Sequence, residues 1–167
     1  MSEEFFDGLV RWLHVLGAVV FIGPQIFLAA IAMPAMRSIE DARARQAAVR
    51  RITLGFGALG GAALAVLLAT GIRQYYEFQD LVDRDVAERY FFLFQTKMLL
   101  VTLVIVLTVL HGAVFGRRLQ RLQEEHAPES EIARVRMWSM ATSMLNLAAS
   151  IFILLCATLM ASDWSKL

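Results

Sequence analysis

The sequence predicts an all-α protein, an integral membrane bundle of four helices with both termini on the outer side. Three observations carry that prediction: four long apolar stretches, a composition too apolar for a soluble domain, and connecting segments that alternate in charge sign. Soluble domains are typically about 45–50% apolar. Here 58% of 167 residues are hydrophobic and the mean hydropathy is +0.58. A chain of this length forms one domain, 1–167.

The four stretches run over about residues 9–36, 52–76, 91–115 and 137–161. Each reaches the roughly 20 apolar residues that a helix needs to cross a hydrocarbon core. The first is preceded by Glu3, Glu4 and Asp7, the wrong sign for a signal peptide, so it reads as a retained helix. Pro24 and Pro34 in it can kink the helix and free carbonyls that need partners inside the protein. The second contains Gly55, Gly57, Gly60 and Gly61; without a flanking strand these are no dinucleotide loop. Gly57 and Gly61 instead make a small-xxx-small face for close helix approach.

The connections set the orientation. Arg37, Arg43, Arg45, Arg50 and Arg51 lie between the first two spans, and Arg117, Arg118, Arg121, Arg134 and Arg136 between the last two. The middle connection carries Glu77, Asp80, Asp83, Asp85 and Glu88. Basic segments stay on the cytoplasmic side, which leaves the acidic segment and both termini outside a bacterial inner membrane. The basic segments read as amphipathic helices that continue the spans into the headgroups of the bilayer. With 16 basic residues against 15 acidic there is no field to recruit nucleic acid. The lone Cys156 cannot form an internal disulfide and reads as packing.

Ionisable groups at membrane depth are costly and mark interior sites; here they are His14, Lys97 and His111. His14 lies 23 residues outward of Arg37, and His111 lies 6 residues outward of Arg117. The difference is about 25 Å along parallel helices, so the two do not share one metal. An outer layer gathers His14, Arg73, Gln74, Lys97, Met98 and Met160, and an inner one sets His111 near Met140, Thr142, Ser143, Met144 and Asn146. A neutral imidazole can hold haem iron or copper, and two cations suit a pair of propionates. A haem b with His14 axial, propionates at Arg73 and Lys97, and Met160, Met98 or an open sixth position is therefore consistent with the pattern. The bland reading of each residue is structural: hydrogen bonds between helices for the histidines, snorkelling for Lys97 and Arg73, packing for the eight methionines.

Trp12-Leu13-His14-Val15-Leu16-Gly17-Ala18 followed by Phe21-Ile22-Gly23 resembles the opening span of the copper-resistance protein D (CopD) superfamily, a group similar in turn to HemJ-type protoporphyrinogen oxidases. Leu68-Ala69-Thr70-Gly71, Lys97-Met98-Leu99-Leu100-Val101, His111 and Arg117-Arg118 extend the likeness over most of the four helices. The resemblance implies a four-helix membrane protein binding b-type haem, with His14, Lys97 and His111 as matching positions. HemJ-type likeness would add protoporphyrinogen oxidation, and CopD-type likeness copper movement. The sequence departs from the first at Ile31–Arg37, which has no histidine, and from the second at Gly23-Pro24, where a Gly-Gly is frequent.

Three function classes follow. The first is a haem-b protein in electron transfer or an oxidoreductase role with an unidentified redox partner, where His111 is a second-site ligand or a proton-handling group. The second is a copper-handling protein using His14, His111 and methionines. The third is a cofactor-free subunit docking through Gly57 and Gly61. A homodimer would help to enclose a macrocycle.

Overall fold

The computed structural model describes residues 3–82 and 88–162. Asp83 and Asp85 of the acidic connection lie outside these residues, as do the side chains of Glu77 and Asp80. Among the described residues every regular element is helical. Helix α1 (Glu3–Phe27) passes through a π-helical stretch (Leu28–Ala32) into the short α2 (Met33–Met36), and α3 follows over Ala42–Val82. Helix α4 (Glu88–Val109) leads through a second π-helical stretch (Leu110–Gly116) into α5 (Arg117–Glu124), and α6 covers Glu129–Met160.

Four helical segments are long and apolar enough to cross a membrane: Glu3–Met36, Arg43–Tyr76, Glu88–Glu124 and Glu129–Met160. At about 1.5 Å per residue these lengths exceed the roughly 30 Å hydrocarbon core. The surplus is largely the arginine-rich sequence, which is helical as expected: α3 begins at Ala42 and α6 at Glu129. Large apolar side chains stand exposed along every span, Leu99 at 72% and Val19 at 62% among them. In water such surface would drive aggregation; in a bilayer it faces lipid.

Local chemistry explains the breaks. Pro34 has no N–H and its ring crowds the carbonyl four residues back, and the turn ahead of it widens to π geometry, with the Met33 N–H donating to the Leu28 carbonyl. Asp41 caps α3: its Oδ1 accepts the Arg43 N–H at 2.8 Å. Helix α5 ends in a Schellman motif, with Ala127 N–H on the Leu122 carbonyl (3.0 Å) and His126 N–H on that of Gln123 (3.4 Å). His126 takes the left-handed position at φ 51°, and Pro128 then blocks any continuation before α6.

The chain forms two compact units, Met1–Arg84 and Asp85–Leu167. In the first, α1 and α3 pack antiparallel along a seam of Val10, His14, Gly17 and Phe21 against Ala63, Leu67, Thr70 and Gln74. The spacing of four, three and four residues is that of left-handed helix packing. Gly17 allows the closest approach: a Cβ there would lie 3.1 Å from Leu67 Cγ and 3.5 Å from the Ala63 carbonyl oxygen. The outer end of the seam is tied by Arg73 Nη2 to Asp7 Oδ1 at 2.9 Å, with the guanidinium 4.5 Å from the centre of the Phe6 ring. Both charged side chains are partly solvated, 47% and 36% exposed, so Asp7→Asn is expected to cost less than about 1 kcal/mol of stability. Thermal unfolding in detergent checks this.

In the second unit α4 and α6 pack antiparallel. Leu93, Val104 and Leu107 are buried on α4, against Val135, Ala149, Ser150 and Cys156 on α6. Lys97 and His111 occupy positions on the same α4 stripe, two heptads apart. Arg118 adds an exposed ion pair at 3.6 Å from α5 to Glu131.

Candidate functional site

The site centres on His14, half-buried on the seam between α1 and α3. Its Nδ1 lies 2.8 Å from the Thr70 hydroxyl. Thr70 is buried and its hydroxyl donates to the Val66 carbonyl at 2.7 Å, with the Leu67 carbonyl at 3.3 Å. A carbonyl can only accept, so the single hydroxyl proton is committed, and Oγ1 must accept from the imidazole. Nδ1 therefore carries the proton, and Nε2 carries the lone pair. This is the arrangement by which outer-shell partners orient metal-binding histidines.

Gly71 completes the cradle. A Cβ at this position would meet His14 Cε1 at 3.4 Å and Nδ1 at 3.9 Å, which is ordinary contact. Gly71→Ala is therefore expected to leave the imidazole in place and to gain roughly 1 kcal/mol of helix preference. Gly71→Leu would fill the space the ring occupies and displace it. Histidine side-chain NMR of the two variants separates the cases, with the Nδ1–H signal kept in the first and lost in the second.

Arg73, one turn along α3 from Thr70, reaches outward to Asp7 and Phe6. Asp7 enters the sequence argument only through the sign of its charge, and its pairing with Arg73 was not legible there. Gln74, on the same face as Thr70, has its Nε2 buried without a hydrogen-bond partner among the described residues.

The other sequence candidates belong to the second unit. Lys97 is half-buried on α4 and within electrostatic range of the buried Cys156. Met98 is partly exposed, and Met160 is the last residue of α6, half-buried. His111 lies in the π-helical stretch, with Nδ1 3.1 Å from Ser143 Oγ and 3.3 Å from Ser139 Oγ. Ser143 is among the neighbours expected from depth; Ser139 is one turn beyond them. The described residues contain no group of three or more His, Cys, Asp or Glu that could hold a metal ion.

Thr70 and Ser139 are the polar partners that residue-by-residue reading passes over, since a hydroxyl in an apolar helix ordinarily satisfies itself on its own backbone. The signal for Thr70 was its place beside Gly71 at the end of an apolar run, where a helix can approach closely. No curated protein and no solved structure matches the chain. The family model described as Predicted membrane protein (DUF2214) matches residues 7–163, and the chain belongs to that family of membrane proteins.

Proposed function

We propose that this membrane protein binds haem b through His14 and works in electron transfer or a related oxidoreductase role. The observation that carries the reading is the Nδ1–Thr70 hydrogen bond of 2.8 Å. It holds the imidazole neutral at Nε2 and turned to one orientation, the state in which histidine ligates haem iron. A histidine serving only to bridge two helices has no need of a partner whose own proton is already committed. The haem, when bound, supplies a one-electron iron couple.

The protein's part is to orient that ligand and to meet the carboxylates of the macrocycle. Arg73 is the proposed propionate partner in the first unit; its forked guanidinium has donors beyond the one that Asp7 takes. Lys97, His111 and Met160 enter this reading through the CopD/HemJ-like sequence pattern and not through a contact. The same reading puts the arginine-rich segments in the cytoplasm and the termini outside a bacterial inner membrane.

The test is the visible spectrum of the purified protein, oxidised and then reduced with dithionite, with metal analysis of the same sample. A Soret band with reducible α and β bands supports the proposal. A colourless protein made with ample haem supply rejects it: stoichiometric copper on that sample would favour copper handling, and no metal at all a structural subunit. Thr70→Val is expected to weaken haem binding about 10–100-fold, the usual cost of losing an outer-shell partner, while Thr70→Ser keeps the hydroxyl and the affinity.

A further inference from the structure

The two membrane histidines have hydroxyl partners of opposite kinds. At His14 the threonine hydroxyl is already donating to a backbone carbonyl, which fixes the imidazole in one protonation state. At His111 two hydroxyls, Ser139 and Ser143, converge on the same ring nitrogen at 3.3 and 3.1 Å. Among the described residues neither serine hydroxyl has another hydrogen bond. A hydroxyl both donates and accepts and turns freely between the two. The pair can therefore accept from Nδ1–H or donate to bare Nδ1 without any movement of heavy atoms. A carbonyl, an amide or a carboxylate in the same place would favour one form only.

Two further observations point the same way. His111 lies in a π-helical stretch, Leu110–Gly116, and such turns in otherwise α-helical segments are frequent at functional sites. Thr108, one turn earlier and on the same side of the helix, has a buried hydroxyl with no hydrogen-bond partner. Thr96, Thr102, Thr142 and Thr158 in the same unit each donate to a carbonyl three or four residues back. Thr108 does not. Three hydroxyls around one imidazole, none of them committed to the backbone in a hydrogen bond among the described residues, make a polar pocket at membrane depth, costly to keep unless used.

We propose that His111, Ser139 and Ser143 form a proton-exchange site at the arginine-rich end of α4 and α6. The neutral imidazole takes one proton from a hydronium ion, forming an N–H bond and leaving water; the imidazolium returns it by the reverse step. The serines keep Nδ1 hydrogen-bonded in both forms. The charged groups on the elements packed around it are Arg117 and Arg118 on α5 and Arg134, Arg136 and Glu131 on α6, with Arg118 paired to Glu131; Lys97 is two heptads away along α4. No carboxylate is a hydrogen-bond partner of the imidazole among the described residues. This proposal does not depend on haem at His14.

The experiment is 15N NMR of the full chain labelled at histidine and held in lipid nanodiscs, with His14 and His126 identified by substitution. His111 is expected to pass between neutral and imidazolium forms between about pH 4 and pH 9 and to exchange its proton with water. In Ser139→Ala/Ser143→Ala the exchange is expected to slow about tenfold or more; Ser139→Thr/Ser143→Thr restores it. A His111 signal that stays in one form across that range overturns the proposal. So does an alanine double variant, still helical, that exchanges as fast as the parent.

Discussion

In His14→Ala, the haem spectrum is expected to vanish while the helix content stays unchanged. The substitution removes the only proposed iron ligand in the first unit but leaves the packing of Val10, Gly17 and Phe21 on α3. The hydroxyl of Thr70 loses the imidazole yet still donates to the Val66 carbonyl, so no buried donor is orphaned and the stability cost is small. Added imidazole, free to occupy the space left by the side chain, is expected to restore part of the absorbance. Retention of the full haem content in the variant would exclude His14 as the ligand. Loss of haem together with loss of helix content would instead assign His14 to folding.

Gly17→Leu is expected to be the most destabilising single change in the first unit. Even the first added carbon would stand 3.1 Å from Leu67 Cγ, tighter than ordinary contact, and the branched end would press on the Ala63 carbonyl as well. Backbone cannot yield as a side-chain tip can, so α1 and α3 must part along the seam. Overpacking of this kind costs about 1–3 kcal/mol, and separation of the helices also breaks the His14–Thr70 contact one turn away. The matched control is Gly57→Leu, where an added Cβ meets nothing within 4 Å. Unfolding in graded denaturing detergent is expected to shift strongly for the first and little for the second. Equal shifts would mean that the Gly57/Gly61 face is covered by another helix, the feature the structural-subunit reading requires.

Most of the helical architecture was legible because a bilayer leaves a chain few choices. Backbone groups in hydrocarbon must be satisfied internally, so each long apolar run becomes a helix, and residues 9–36, 52–76, 91–115 and 137–161 all lie largely within the helical segments observed. The extension of α3 and α6 into arginine-rich sequence follows from amphipathic composition, and the acid cap at Asp41 and the Pro128 start of α6 are local signals of the ordinary kind. The candidate site was legible only in part. His14, Lys97 and His111 declare themselves through the cost of placing ionisable groups in apolar sequence. Their partners do not, because a threonine or serine costs little in a membrane helix and gives no warning of which way it faces.

What the sequence determined by itself is the number, extent and membrane character of the helices, along with the residues whose burial demands a reason. What the tertiary structure alone decided is the rotation of each helix about its axis. That rotation turned Thr70 and Gly71 onto His14, drew Arg73 to Asp7, and brought Ser139 and Ser143 together at His111. The physical reason is that hydrophobicity fixes depth along the membrane normal, since water and lipid differ steeply there. Within the bilayer plane every face is apolar. Facing is then set by close packing at Gly17 and by a few hydrogen bonds, each of which needs two residues distant in sequence to exist at all.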